Sequence, residues 1–218
     1  MHHDPANWQT YLVTQESASN GRRTPEIVER ALEGGIDVVQ LREKGLDARD
    51  RYEVGRVVRE LTAEADVPLI VNDRIDLARA LGADGVHVGQ SDLPVAVARD
   101  LLGESAIVGC SVSTVEESLD AERAGASYLG VGAVYGTTSK SVAARKDGIG
   151  TERIEAIVDA VDIPVIGIGG ITDENARPVV DAGGTGVAVI SEITAADDPA
   201  SATETLVETV DGQEKPPE

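Results

Sequence analysis

Short runs of β-branched residues alternate along this chain with longer segments whose apolar residues repeat at helical spacing. This alternation is typical of a parallel β-sheet covered by helices. A helical segment follows each of the eight runs, except where residues 134–150 form a long polar loop. Eight such units favour a (β/α)8 barrel over an open doubly wound sheet. The predicted strands are 11–14, 38–42, 69–72, 85–88, 107–111, 128–131, 164–168 and 186–190.

Length and local signals favour one domain. The 218 residues, 41% of them hydrophobic, can bury a single large core. Residues 1–210 are therefore predicted to form the barrel catalytic domain, and residues 211–218, which end in Lys-Pro-Pro-Glu, a disordered tail. Thr24 is predicted to cap one helix, and Thr114 with Glu117 to form a capping box at another.

The charge limits the range of partners. A net charge of -20 argues against binding to nucleic acid or to an anionic membrane, because the field of the protein would repel both. Few of the basic residues are lysine and there is no Phe, so we expect adaptation to a salt-rich cytoplasm. Small phosphorylated molecules are the expected partners, and a homodimer is compatible with these features.

Cysteine content and hydropathy indicate a soluble cytoplasmic protein. The single cysteine, Cys110, has no partner for an internal disulfide and is expected to be a small core residue. The chain has neither an apolar stretch long enough to cross a bilayer nor the pattern of a secretion signal at residues 1–5.

Polar residues stand where buried strands should end. Gln40 and Arg42 share one face of a strand, and Lys44 continues that line past its end, so we expect all three at the barrel mouth. Guanidinium and ammonium groups suit a diphosphate. The alternative is a salt bridge to Glu43 or to another of the many acids.

Two carboxylates follow neighbouring strands. Asp73 comes after Asn72, and Asp92 follows the next strand. Such oxygen ligands suit Mg²⁺, with water and substrate phosphate completing the octahedron. Singly, Asp92 could only cap the following helix, and Asp73 could only pair with a nearby arginine. Their joint placement beside the cations favours the metal site.

Two later segments are candidates for phosphate binding. The glycine-rich residues 167–172 are predicted to close strand seven and to open a helix, and Ile190 and Ser191 close strand eight. Residues 132–140 place three hydroxyls before Lys140 in a loop that could close over the site. The alternatives are a turn required only for packing and a plain surface loop. His87 lies mid-strand and is expected to pack or to hydrogen-bond, and His2 and His3 are terminal, which leaves charge stabilisation as the available chemistry.

Together these segments resemble the thiamine-phosphate synthase family. The resemblance is carried by residues 11–14, 40–44, 72–78, 85–94, 109–111, 130–140, 167–171 and 186–191. It implies a (β/α)8 transferase that condenses 4-amino-2-methyl-5-(diphosphooxymethyl)pyrimidine with 4-methyl-5-(2-phosphoethyl)thiazole. Diphosphate leaves first, and the thiazole nitrogen then attacks a pyrimidine methylene cation.

The resemblance also implies roles for individual residues. Asp73 and Asp92 would bind Mg²⁺, and the catalytic residues would be Arg42, Lys44, Ser111 and Lys140. The pyrimidine diphosphate would contact Gln40, Arg42, Lys44, Asn72, Ser111 and Lys140. The thiazole phosphate would contact Thr137, Ser139, Gly170, Ile190 and Ser191, and Leu41, Glu43 and Thr138 would complete the substrate-binding set.

Three departures and two rival functions qualify this resemblance. Ala133 replaces the usual proline, Ser139 replaces threonine, and residues 141–144 lack the usual acid, which leaves the role of Lys146 open. A related thiazole tautomerase uses a histidine at the position of Ser113 and lacks the metal carboxylates. A non-catalytic phosphate-binding relative would not need a complete metal site.

Overall fold

The structure is a computed structural model that describes residues 3–136 and 148–212. Its centre is a closed barrel of eight parallel strands, each paired with its neighbours in chain order and the last paired with the first. The (β/α)8 prediction is confirmed, and the predicted strand ends differ from the observed ones by at most one residue. The strands are β1 (Thr10–Val13), β2 (Val38–Leu41), β3 (Leu69–Asn72), β4 (Gly85–Val88), β5 (Ile107–Val112), β6 (Tyr128–Gly132), β7 (Val165–Ile168) and β8 (Gly186–Val189).

Helices connect the strands and surround the barrel. Two short 3-10 turns, Pro5–Asn7 and Glu16–Ala18, flank β1. The helices are α1 (Thr24–Glu33), α2 (Ala48–Glu64), α3 (Ile75–Leu81), α4 (Val95–Leu102), α5 (Val115–Arg123), α6 (Thr151–Val158), α7 (Arg177–Asp181), α8 (Ser191–Thr194) and α9 (Pro199–Asp211).

The barrel divides the apolar residues into two cores, because alternate residues of a strand face opposite sides. The outer core lies between strands and helices and includes Leu41, Val71 and Cys110, which confirms the prediction for the cysteine. The inner core fills the barrel and includes Tyr11, Ile70 and Tyr128. Both faces of every strand are covered, which explains why the strands are continuous apolar runs.

The start of α1 differs from the prediction. Thr24 is already the first helical residue, and its N–H donates to the Glu16 carboxylate at 2.9 Å. Its hydroxyl donates instead to Glu43 at 2.8 Å, so the helix is capped by an acid from the preceding turn. At α5 the Thr114 cap is confirmed, because its hydroxyl accepts from the Glu117 N–H at 3.2 Å, but the Glu117 carboxylate accepts from the Ser113 N–H and not from that of Thr114, so the capping box is only half formed.

Two further predictions are corrected. Residues 169–176 form turns, so the segment after β7 does not open a helix, and α7 begins only at Arg177. The predicted tail begins inside a helix, because α9 includes Asp211 and is capped by Gly212 with φ of 75°. Residues 213–218 lie outside the described residues. Within the described ranges, no helix has the length and apolarity that crossing a membrane requires.

Candidate functional site

One cavity at the carboxyl ends of the strands is lined by most of the predicted site residues. Its volume is about 890 Å³. The carboxyl ends of parallel barrel strands meet at one rim, so polar residues that follow different strands converge there. Nine predicted residues line it: Arg42, Lys44, Asn72, Asp73, Asp92, Ser111, Gly170, Ile190 and Ser191.

Lys44 and Asp73 form an ion pair across this mouth. Lys44 Nζ lies 2.8 Å from Asp73 Oδ2, and the Asp73 side chain is only 23% exposed. The alternative of a salt bridge for Lys44 is thus realised, but with a carboxylate of the site itself. Asp73 has a φ of 62°, which is uncommon for a residue other than glycine. Its N–H donates to the His87 carbonyl at 2.8 Å, which secures this conformation.

Asp92 shares the mouth with Asp73. Its Oδ2 accepts from the Gly89 N–H at 2.8 Å, and α4 begins after Pro94, so Asp92 closes a turn instead of capping the helix. Burial raises the pKa of Asp92, and the negative charge of Asp73 raises it further, although the Gly89 N–H opposes the shift. Burial also acts to raise the pKa of Asp73, but the hydrogen bond and charge of Lys44 leave that pKa below its ordinary value.

Arg42 and Asn72 supply donors to the same wall. Arg42 is buried, and its Nη1 donates to Gln15 Oε1 at 2.6 Å. Burial lowers the pKa of Arg42, and the nearby acids Asp73 and Glu43 oppose that shift. Asn72 is 6% exposed, and its Nδ2 makes no hydrogen bond of full geometry, although its side chain lies close enough to Asp73 to help lower the pKa of that carboxyl. A buried donor in a native structure is normally hydrogen-bonded, so this amide can serve Asp73 or an acceptor that enters the cavity.

Ser111 lies on the cavity wall and is hydrogen-bonded to His87 beneath it. Its Oγ is 2.8 Å from His87 Nε2, and His87 Nδ1 is 2.9 Å from the Tyr128 hydroxyl. His87 is buried inside the barrel. The prediction that His87 packs or hydrogen-bonds is confirmed, and its partners lie on β5 and β6.

Three predicted residues of the 40–44 motif do not line the cavity. Gln40 faces the barrel interior as expected but lies below the mouth, where its Nε2 donates to the Tyr11 hydroxyl at 2.7 Å. Leu41 is fully buried in the outer core. Glu43 is buried and accepts hydrogen bonds from the Thr24 hydroxyl and the Glu16 N–H. The side chains of Leu41 and Glu43 therefore act in packing and in anchoring the neighbouring turn.

The opposite side of the cavity is formed by the turns after β7 and β8. Gly170 has a φ of 68°, and a Cβ atom there would lie 2.6 Å from the Gly136 carbonyl oxygen. Glycine is therefore required both by the backbone and by the close approach of the 133–136 segment. Asn175 secures the turn, because its Nδ2 donates to the Gly170 carbonyl at 3.0 Å. Ile190 and Ser191 lead into α8.

Four predicted residues, Thr137, Thr138, Ser139 and Lys140, lie outside the described residues, as does Lys146. Two further residues belong to the site but were missed from the sequence. Gln15 follows β1 and holds Arg42. Glu117 lines the cavity, and its carboxylate accepts from the Ser113 N–H at 2.7 Å. Gln15 is a polar residue just after a strand, which is the signal that identified the other residues of the mouth. Glu117 gives no such signal, because its position in the sequence indicates a helix cap.

The chain matches known proteins over most of its length. Residues 10–193 match the family model described as thiamine monophosphate synthase. A thiamine-phosphate synthase of Haloarcula marismortui is 62% identical over 201 residues, which cover 92% of this chain and 95% of that protein. One of Natronomonas pharaonis is 58% identical, with coverage of 93% and 94%. The solved thiamine phosphate pyrophosphorylase of Pyrococcus furiosus superposes with a TM-score of 0.87 at 40% identity, covering 95% of this chain and 98% of the other.

Proposed function

We propose a reaction for this chain from the premise that it belongs to the thiamine monophosphate synthase family and is a transferase. In the proposed reaction, 4-amino-2-methyl-5-(diphosphooxymethyl)pyrimidine reacts with 4-methyl-5-(2-phosphoethyl)thiazole. The products are thiamine monophosphate and diphosphate. The observation that carries the proposal is the convergence of two cations, two carboxylates and a buried amide on one cavity.

The leaving diphosphate is assigned to the β2–β5 side of the mouth. Arg42 and Lys44 supply positive charge, and the Asn72 amide supplies a buried donor. Ser111 offers a hydroxyl on the same wall. Holding these donors in place before substrate arrives stabilises charge as it develops on the leaving group. The proposed mechanism is the dissociative one that membership of the family implies, with departure of diphosphate before the thiazole nitrogen attacks, and this charge stabilisation supports it.

The proposed metal is Mg²⁺, held by Asp73 and Asp92. Mg²⁺ commonly takes one or two protein carboxylates and completes its octahedron with water and substrate phosphate, so a pair of acids is a sufficient donor set. The mutual effect of the two acids on their pKa values supports their close placement. When bound, the metal would neutralise charge on the diphosphate. Within the described residues, no cluster of three or more His, Cys, Asp and Glu side chains offers a different metal site.

The thiazole phosphate is assigned to the turns after β7 and β8. The backbone at Gly170 and the residues Ile190 and Ser191 face the cavity from the side opposite the cations. Phosphate sites after the seventh and eighth strands recur in barrels of this architecture. Thr137, Ser139 and Lys140 are proposed to close this side, and Lys140 to assist diphosphate departure.

The test is release of diphosphate when the protein is incubated with both precursors, with and without Mg²⁺. We expect release that requires both the metal and Asp73. Asp73→Asn should slow it about 10²-fold, whereas Asp76→Asn, which changes an exposed acid of α3 that is paired with Arg74, should not. Conversion of a thiazole isomer without diphosphate release would favour the tautomerase instead. Binding of both precursors without any reaction would favour a non-catalytic relative.

A further inference from the structure

A chain of buried hydrogen bonds runs through the barrel interior to Ser111. Gln40 Nε2 donates to the Tyr11 hydroxyl at 2.7 Å, and the Tyr11 and Tyr128 hydroxyls are 2.8 Å apart. The Tyr128 hydroxyl is 2.9 Å from His87 Nδ1, and His87 Nε2 is 2.8 Å from Ser111 Oγ. Four side chains from four strands thus connect to one hydroxyl on the cavity wall.

The surrounding strands leave room for the two rings at the centre of this chain. Gly109 stands beside His87 in the β4–β5 register, and Gly130 stands beside Ser111 in the β5–β6 register. A Cβ atom at Gly109 would lie 2.3 Å from Tyr128 Cζ and 2.5 Å from His87 Nδ1, and one at Gly130 would lie 2.9 Å from His87 Cε1. The rings fill space that only glycine leaves, so their placement is a built feature of the barrel.

The Gln40 amide, which donates at the inner end of this series, sets the direction of every hydrogen bond from Tyr11 to Ser111. Burial raises the pKa of both phenols, so Tyr11 and Tyr128 each keep one proton. Either hydroxyl could donate in the bond between Tyr11 and Tyr128, but Tyr11 already accepts from Gln40, so its own proton is satisfied by donation to Tyr128. Tyr128 must then donate to His87 Nδ1, because a buried hydroxyl proton without an acceptor is costly. Nδ1 is therefore an acceptor, and the proton of the neutral ring is on Nε2.

We propose that His87 is a positioning residue that turns the hydroxyl hydrogen of Ser111 toward an anion in the cavity. Because Ser111 Oγ accepts from His87 Nε2, its own proton is free to be donated into the cavity. With the opposite direction, Ser111 would donate to His87 and would present only lone pairs, which an anion repels. The inference rests on the proposed function, since the anion is the diphosphate of the substrate.

Nitrogen-15 NMR of the ligand-free protein tests the direction of the hydrogen bonds at His87 without any assumption about function. His2 and His3 are the only other histidines in the sequence, so a His87→Gln variant identifies the signals of His87. We expect Nε2 to have the shift of a protonated ring nitrogen and Nδ1 that of an unprotonated one. Tyr11→Phe should keep this tautomer, because Tyr128 can still donate, whereas Tyr128→Phe should lose it. A wild-type ring protonated on Nδ1 overturns the proposal.

Titration with inorganic diphosphate in the presence of Mg²⁺ tests the consequence for binding. Loss of a hydrogen bond to a charged group weakens binding about tenfold, so we expect about that loss for Ser111→Ala and for Tyr128→Phe. If Tyr128 acts through Ser111, the double variant should lose no more than Ser111→Ala alone. Tyr52→Phe removes a hydroxyl on α2, outside the barrel, and is the matched control.

The two experiments separate this inference from the proposed function. Additive losses in the double variant would overturn the inference, because Tyr128 would then act by a route other than Ser111. A wild-type protein that binds no diphosphate would contradict the proposed function instead. In that case the NMR spectrum of the ligand-free protein alone decides the direction of the hydrogen bonds between Gln40 and Ser111. Circular dichroism of each variant confirms that it is folded.

Discussion

Asp73 combines two properties that different substitutions can separate. Its backbone is in the left-handed region with φ of 62°, and its carboxylate forms an ion pair with Lys44 at 2.8 Å. Asn tolerates the left-handed region well, whereas a residue such as Ala does not. Asp73→Asn therefore removes the charge alone, and Asp73→Ala removes the charge and also strains the backbone.

The structure sets the size of each effect on stability. The Lys44 side chain is 53% exposed, so we take the contribution of the ion pair as about 0.5 kcal/mol, within the range of exposed pairs. Alanine in the left-handed conformation costs about 1 kcal/mol more. In a chain of this length 1 kcal/mol shifts Tm by about 2–4 °C, which gives a decrease of about 1–2 °C for Asp73→Asn and about 3–6 °C for Asp73→Ala.

Asp66 provides a control for the backbone effect. It is the other described residue besides glycine with positive φ, at 56°, and it is exposed in the turn before β3. Differential scanning calorimetry should show the same gap between Asn and Ala variants at Asp66 as at Asp73. The rate of diphosphate release should fall about 10²-fold for both Asp73 variants and stay unchanged for both Asp66 variants. Equal Tm values for Asp73→Asn and Asp73→Ala would refute the backbone argument, and a wild-type rate in Asp73→Asn would refute the metal assignment.

Three other predictions follow from the barrel itself. Gly109→Ala should lower the free energy of unfolding in urea by about 1–3 kcal/mol, because its Cβ would overlap Tyr128 and His87; unchanged stability would contradict that packing. Leu41→Ala should lower the free energy of unfolding by about 2–5 kcal/mol yet leave diphosphate affinity unchanged. Weaker binding without any loss of stability would indicate that Leu41 contacts the substrate after all. Raising KCl from about 0.1 M to about 1 M should raise Tm, since shorter screening lengths reduce repulsion within a chain of net charge -20; a constant Tm would argue against the predicted salt adaptation.

The architecture was predictable because every strand is covered on both faces. Such strands are short, continuous apolar runs, and eight of them with helical connections favour closure into a barrel. The start of α1 could not be predicted in the same way. Thr24 has the chemistry of a cap, but its partners Glu16 and Glu43 lie elsewhere in the chain. Only the folded barrel brings these three residues together.

The rim of the site was predictable, but depth within the barrel was not. Alternation along β2 places Gln40 and Arg42 on the inner face and Leu41 on the outer face. It does not state which inner residue reaches the cavity, because strand tilt and stagger determine the layers of the barrel. Gln40 lies one layer below Arg42 and meets Tyr11 instead of solvent. A residue can therefore belong to the site without touching the cavity.

The ion pair between Lys44 and Asp73 explains how opposed charges share one mouth in the ligand-free protein. Each group needs a counterion, and each is proposed to exchange its present partner for a ligand with the charge of that partner. Lys44 would exchange Asp73 for phosphate, and Asp73 would exchange Lys44 for the metal. Diphosphate alone would have to separate Lys44 from Asp73 and leave that carboxylate beside Asp92 without compensation. The metal alone would leave Lys44 unpaired next to Arg42. Joint binding replaces one ion pair with two, so the geometry of the mouth favours entry of the metal and the diphosphate together.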